Sequence, residues 1–556
     1  MRQIRDDKIL FFVTSPRSPF KIIPDIELLV SNLSGKPWNA TTQIQFGKLL
    51  GNSSAFLGEA KNDEAFSARD RINRAPKALG LVDLEPVIKL TDAGNLFINS
   101  TRPHEIFTRQ LLKFQLPSQF HGGNYKIKPF LEILRLVYDL EKLSKDEIKM
   151  FALQMTSYYN FNDIKDKILQ YRDKIKNRDK SKTSARTFKD NEFTEEVKFI
   201  YKDELSSTTS PTKIKDFINK KKSNMRDYAD ACFRYLRASE LVTVDRSTSY
   251  LLVPNSKKKE VEYILTNIDR NPNNFTNEKE FKDYLFNPTL PSLAIDNTKD
   301  LLSIITSLGA KKEEFINKSI LELQDIQEKL INEHRSEKVR ETIAELKTFT
   351  NYDEIIDMFD DIRAKRVVDQ PLMLEWNIWR AFVMLNDGEI KGNFKTDTEG
   401  MPLNTALGNK PDIECKYNDF DVIVEVTMSS GSKQYEMEGE PVARHLGRLK
   451  NEENRDISRE AYCIFIAPTI NEATLAHFYA LQNINIKYYG GKSKIIPLSL
   501  EDFLNMLSHA KGNQNKLSSF KLKNLINNVC NKSLSSQDEE EWYKFIQKSS
   551  KEWLTI

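Results

Sequence analysis

The 556-residue sequence predicts a multidomain α+β protein: N-terminal subdomains of winged-helix type, a helical linker, and a C-terminal α/β domain. Three observations predict it. Helical apolar spacing followed by a short strand-turn-strand pattern recurs near residues 39–98 and 213–259. Residues 299–366 are charged, contain one glycine (Gly309) and no proline, and carry leucines and isoleucines at helical spacing, among them Ile320, Leu323, Ile326 and Leu330. Past residue 367, β-branched runs alternate with helical spacing, the pattern of an α/β core. A chain of this length exceeds a single hydrophobic core, and the expected divisions are 1–291, 292–366 and 367–556.

Composition sets outer limits. With 39% hydrophobic and 29% charged residues there is enough apolar material to fold, and no eighteen-residue apolar run argues for a membrane span. The opening residues hold only the short run from Ile9 to Val13 and no small-residue cleavage site, so a signal peptide is not expected. Cys232, Cys415, Cys463 and Cys530 form no C-x-x-C pair, which argues against structural zinc and fits a reducing cytoplasm. The six histidines show no H-x-x-x-H spacing. A net charge of +3 is uninformative by itself, but residues 213–259 carry twelve Lys/Arg against five Asp/Glu, a basic block that matters beside a DNA-reading fold.

In chain order, Ile9 to Val13 reads as strand-like, and Ser15-Pro16-Arg17-Ser18-Pro19 as a stiff turn projecting Arg17, an ordinary loop or a phosphate- or base-contacting arginine. A helix is expected over 39–50, with Ile44, Phe46, Leu49 and Leu50 apolar. A basic helix ending by Gly80 follows, with Arg69, Arg71 and Arg74 in its N-terminal part, where a recognition helix meets bases and phosphates. Pro76 would kink or shorten it, and a hairpin returns through Val87 to Leu90. Residues 101–170 read as helical, and 172–189 as a lysine-rich helix extension or loop. The second helix-then-hairpin runs from Arg226 through Arg234 to Arg237, then Leu241 to Val244, a turn at Asp245-Arg246-Ser247, and Tyr250 to Val253. Two prolines, Pro288 and Pro291, mark a boundary.

The chemistry concentrates at 408–445. Asp412 follows Pro411, Glu425 comes thirteen residues later in the β-branched run 422–426, and Glu438 thirteen beyond that. Strand periodicity puts Glu425 on the face of Ile423, a charge near a core unless something binds it. Asp412, Glu425 and the Val426 carbonyl form an all-oxygen set suited to Mg²⁺, with Mn²⁺ a substitute, where a bound water is acidified and phosphate charge offset. Such a spacing also arises by chance, leaving a structural reading open. Glu375 lies on an expected apolar helix after Pro371, as a ligand or as a paired structural acid. A strand at 461–467, a helix at 471–481, a last strand at 495–499 and a helical tail complete the domain.

These residues carry a resemblance. Ser15-Pro-Arg-Ser-Pro19, Phe66-Ser-Ala-Arg-Asp-Arg71, Asn287-Pro-x-Leu-Pro291, Glu375-Trp, Gly408-Asn-Lys-Pro-Asp412, Glu425-Val-Thr427 and Met437-Glu-Gly-Glu-Pro-Val-Ala-Arg-His445 occur in the right order over most of the chain. In them the chain resembles the AlwI-type family of type IIS restriction and nicking endonucleases. The resemblance implies winged-helix recognition of double-stranded DNA, a helical linker, and a nuclease domain of the PD-(D/E)xK fold. It implies Mg²⁺-dependent cutting at a fixed distance outside a short asymmetric site. Asp412, Glu425 and Glu438 fall on the catalytic acids, and Glu375 and His445 on conspicuous family positions. A companion DNA methyltransferase and a bacterial cytoplasmic setting are implied too, as is a second copy or a small nuclease subunit for cutting the second strand. The departure from the general nuclease pattern is Thr427, where a lysine is expected; a second metal, Glu438, His445 or Lys433 are the candidates to replace it. That missing lysine motivates the alternative, a sequence-specific DNA-binding regulator with a non-catalytic nuclease-like domain.

Overall fold

The computed structural model describes residues 2–3, 6–51, 64–179, 181, 183–207, 209–245, 250–385, 387–406, 410–453, 455–456 and 458–555. The protein is a mostly helical α+β chain with several small sheets and one five-stranded sheet. It divides into two compact units, Met1–Asn332 and Glu333–Ile556, the division falling inside the helix Ile320–Leu346. The charged stretch after Pro291 holds that helix together with Thr298–Ser307 and Tyr352–Arg363. None of the described helices is long and apolar enough to cross a membrane.

In the first unit, both helix-then-hairpin patterns are present. The helix Ala40–Gly51 buries Thr42, Phe46 and Leu50, one face at helical spacing, and leaves Ile44 exposed. The basic helix is broken, which corrects the expectation of one helix with its arginines near the start. It runs Glu64–Asn73 and restarts as Ala75–Ala78 with Pro76 in the first turn, because proline has no N–H to donate to the preceding turn. Arg69 and Arg71 therefore lie in the C-terminal half of the first segment and Arg74 at the break. The strands Val82–Asp83 and Lys89–Leu90 pair antiparallel behind it.

The second helix is longer than the expected 226–237. It spans Pro211–Ala238, because the buried stripe already begins at Ile218 and Met225. Its hairpin, Thr243–Val244 with Tyr250–Leu252, takes Leu143–Ser144 as a third strand beside the latter. Arg246 and Ser247 of the expected turn lie outside the described residues, as do Gly408 and Asn409 and the side chains of residues 66–68. The run Ile9 to Val13 is buried but irregular rather than a strand, with Leu10 N–H donating to Leu153 at 2.6 Å.

The second unit is built on the five-stranded sheet. Its order is Ile495–Ser499, Glu460–Ala467, Phe420–Val426, Ile413–Lys416 and Glu389–Gly392. The first three strands are parallel, and the last two join antiparallel. On one face Ile423, Cys463, Phe465 and Ile495 pack with Val442, Ala443 and Leu446 of the helix Ser432–Lys450 and Phe478 of the helix Glu472–Asn483. The wholly buried helix stretch from Leu372 to Leu385 joins Leu500–Lys511 through stacked Phe382 and Phe503. All four cysteines are buried and free of disulfides.

Candidate active site

Register brings the two principal acids together. Ile413 pairs with Val424 in the antiparallel ladder, so one step further Asp412 stands opposite Glu425, at the carboxyl end of the parallel strands. That end of an α/β sheet is where ligands ordinarily bind. Opposed like charges are unfavourable on a sheet, and here they are also enclosed: Glu425 is 7% exposed. Burial first, then the neighbouring Glu425 and Glu438, pushes the Asp412 carboxyl well above the usual range, against the pull of the Val426 N–H. Burial and Glu438 likewise push Glu425 up.

One oxygen of each acid is already engaged. The Val426 N–H donates to Asp412 Oδ2 at 2.7 Å, and His445 Nδ1 lies 2.7 Å from Glu425 Oε1. Burial, with Arg444 and Arg448 beside it, pushes the imidazole down to about 4. The helix Ser432–Lys450 carries Glu438, Val442 and His445 at spacings of four and three, one stripe turned toward the sheet face of Ile423 and Glu425. Burial raises Glu438, while the Thr427 hydroxyl and His445 lower it. Thr427 Oγ1 accepts Ser429 N–H at 3.0 Å.

Glu375 joins the group from the helix Gln370–Leu385. It is 3% exposed, accepts the Ala406 N–H at 3.0 Å, and is pushed well up by burial and by Asp412 and Glu425. The five sequence-identified residues Asp412, Glu425, Glu438, His445 and Glu375 thus share one neighbourhood. Lys433 stands exposed at the start of the helix Ser432–Lys450. Among the described residues no three His, Cys, Asp or Glu groups already converge as a closed cation cage. An octahedral Mg²⁺ does not need one, because it keeps several waters and takes one or two carboxylates plus substrate phosphate. The uncommitted oxygens of Asp412 and Glu425 and the Val426 carbonyl fit that hard-oxygen requirement.

Two supporting residues had no local signal in the sequence. Gln434 is fully buried, donates to Ser429 O at 3.0 Å and Thr469 O at 2.8 Å, and accepts Asn471 N–H at 2.8 Å, which fixes where the helix bearing Glu438 begins. Asn393 bonds around Asp412 from the neighbouring strand end. A cleft of about 890 Å³ lies instead at the other end of the strand Phe420–Val426, around Asp421, Arg455 and Arg459, and none of the acid cluster lines it.

In the first unit the arginines separate into two groups. Arg71 is 9% exposed and turned inward onto Asp25, which is fully buried. Arg234 is 8% exposed and holds Asp230 at 2.8 Å and the Arg17 carbonyl. Both guanidinium groups serve the fold in this structure. Arg17 has a side chain 72% exposed, 3.7 Å from Asp230. Arg74 holds Asp70 at 2.9 Å and the Thr14 hydroxyl, and Arg226, 51% exposed, lies 3.5 Å from Asp190. Arg69 is half-buried. The loop from Thr14 to Ser18 is held between the two helices, since Ala75 N–H donates to Ser15 O and Tyr235 Oη to Pro16 O, both at 3.1 Å. Arg17, Arg74 and Arg234 are thereby gathered around one loop.

The family model described as AlwI restriction endonuclease matches residues 77–506. Among solved structures, the small subunit (R.BspD6I2) of the heterodimeric restriction endonuclease R.BspD6I is similar at 27% identity, over 35% of this chain and 98% of that one, with a TM-score of 0.31. The BpuJ1 endonuclease binding domain, solved with pyrene- and phenanthrene-modified DNA, is similar at 15% identity, over 51% of this chain and 100% of that one, with a TM-score of 0.33. No curated protein matches the chain. The match takes in the whole acid cluster and most of both units, and the chain belongs to the AlwI restriction endonuclease family, whose members are site-specific DNA endonucleases.

Proposed function

We propose that the chain is a type IIS-like endonuclease that reads a short asymmetric duplex site with its first unit and hydrolyses a phosphodiester outside that site with its second. The observation that carries this reading is the in-register opposition of Asp412 and Glu425, with Glu438 and Glu375 in the same buried field. Four acids at the carboxyl end of the central strands, each with its carboxyl pushed up, form a site that a divalent cation would relieve.

In this reading the nuclease unit is of the PD-(D/E)xK type. Asp412, Glu425 and the Val426 carbonyl hold Mg²⁺, or Mn²⁺ in its place. The cation supplies an acidified water and offsets charge on the phosphate. Glu438, near Thr427, and His445, hydrogen-bonded to Glu425, are then the groups that take over the part a lysine plays in the general pattern. Glu375 adds a further carboxyl beside Asp412 and Glu425. The helix-then-hairpin elements act as winged helices on duplex DNA, with Arg17, Arg69, Arg74 and Arg226 contacting it. One nuclease unit provides one active site, so the chain by itself nicks, and double-strand cutting takes a second copy or a small nuclease subunit. A companion methyltransferase would protect the site in the host.

Incubation with plasmid and Mg²⁺ tests the proposal. The wild type should give nicked circles or discrete fragments, and Asp412→Ala intact DNA; sequencing the ends gives site, distance and strand. Equal inertness of both proteins in Mg²⁺ and Mn²⁺, with sequence-specific binding retained, would establish the regulator reading instead.

A further inference from the structure

We infer that Asn393 is a positioning residue for the nuclease reaction, a clamp that sets the backbone of Asp412 so that its carboxylate meets Glu425. The inference rests on the metal-site reading above. In the outer antiparallel pair Ile413 is opposite Gly392, so the next residues, Asn393 and Asp412, are opposite each other, just as Asp412 is opposite Glu425. Asn393, Asp412 and Glu425 thus form one row across three neighbouring chain segments.

Three bonds tie Asn393 to the segment around Asp412. Its backbone N–H donates to the Asp412 carbonyl at 2.9 Å. Its side-chain amide donates to the Pro411 carbonyl and to Glu414 Oε1, each at 2.8 Å. Residues on both sides of Asp412 are held by one amide group, while the Asp412 carboxylate is held from the opposite strand by Val426 N–H. The two arms leave the second carboxylate oxygen of Asp412 with a set direction. The chemistry needs an amide there: aspartate would replace both donors with a charge beside Glu414.

The clamp is itself anchored to the helix that supplies Glu375. A Cβ on Gly392 would meet the Phe394 ring at 2.2 Å, so only glycine allows Phe394 to fold back there. Phe394 packs edge-on against Trp379 with centroids 5.5 Å apart, and Trp379 Nε1 donates to Ile390 O at 3.3 Å. Trp379 lies one helical turn beyond Glu375. Helix and strand end, and with them Glu375 and Asp412, are referenced to each other through this contact.

The test is Mn²⁺ binding by the full chain without DNA, followed by the electron paramagnetic resonance signal of the free ion. Asn393→Ala should bind Mn²⁺ about tenfold or more weakly, the range seen when groups that orient metal ligands are removed. Its cleavage should recover at high Mg²⁺, whereas that of Asp412→Ala should not. Ile495→Val, a cavity variant on the far edge strand, should lose stability but keep wild-type Mn²⁺ affinity. Affinity within twofold of wild type in Asn393→Ala, or an equal loss in Ile495→Val, would overturn the inference. If Asn393→Ala does not fold, Glu414→Ala, which removes one arm, decides: weaker Mn²⁺ binding supports the clamp and unchanged binding overturns it. Unchanged Mn²⁺ binding in Asp412→Ala would show instead that the metal-site reading itself has failed.

Discussion

Neutralising Asp412 should make the metal-free protein more stable while abolishing its chemistry. Asp412→Asn keeps an oxygen for the Val426 N–H, bonded at 2.7 Å in the wild type, and changes little but charge. In the wild type the two carboxyls face each other across the strand pair, where opposed Cβ atoms are about 5 Å apart. At an effective dielectric of about 20, two unit charges at about 5 Å repel by about 3 kcal/mol. Partial protonation relieves some of this, because burial and neighbouring acids push both carboxyls up. The substitution should then stabilise by roughly 1–3 kcal/mol, which for a unit of this size raises its unfolding temperature by about 2–10 °C. The sign with pH follows from the raised folded-state value. The fold holds a proton that the unfolded chain releases above about 4, so wild-type stability falls as pH rises from there. The advantage of Asp412→Asn should therefore widen between pH 5 and pH 8. Scanning calorimetry in EDTA at both pH values measures it, and added Mg²⁺ should close the gap by stabilising the wild type alone. An Asp412→Asn protein that melts at or below the wild-type temperature at pH 8 in EDTA would refute the opposed-carboxylate argument.

Glu425→Gln should bind the cognate site with wild-type affinity in a gel-shift assay and show no strand cleavage. Arg71→Ala should destabilise the protein by about 3–5 kcal/mol in denaturant titration, because it strands the buried Asp25 carboxylate. Arg17→Ala should instead leave stability nearly unchanged, and both Arg17→Ala and Arg69→Ala should weaken DNA binding, with a shallower salt dependence measured by fluorescence anisotropy. Gly447→Ala should cost about 1–3 kcal/mol in the same titration, since its Cβ would meet Tyr489 Cα at 2.8 Å.

Much of the candidate site was legible locally. The β-branched run around Glu425 specifies a strand by its own period, and the stripe from Glu438 through Val442 to His445 specifies one face of a helix. The helix-then-hairpin order was equally visible, because turn residues and apolar spacing act within a few positions of each other. Pro76 shows where such reading stops. Its effect on the basic helix was foreseeable in kind, but the break at Arg74 moved Arg69 and Arg71 away from the helix start.

The sequence alone determined most of the helices and strands, though not the irregular run at Ile9 to Val13 or the break at Arg74, and also that acids lie close together over 412–438 and which family the chain resembles. Only the tertiary structure decided which charges are available. Arg71 is taken by Asp25, forty-six residues earlier in the chain, and Arg234 by Asp230 and the Arg17 carbonyl, so two of six arginines expected on DNA are turned into the fold. It also decided that Asp412 and Glu425 stand opposite each other, and that Glu375, His445 and Asn393 reach them from elsewhere. The physical reason is one of range. Periodicity and turn chemistry act between neighbours along the chain, whereas a side chain's partner is set by packing and strand register, which join residues that no local pattern connects.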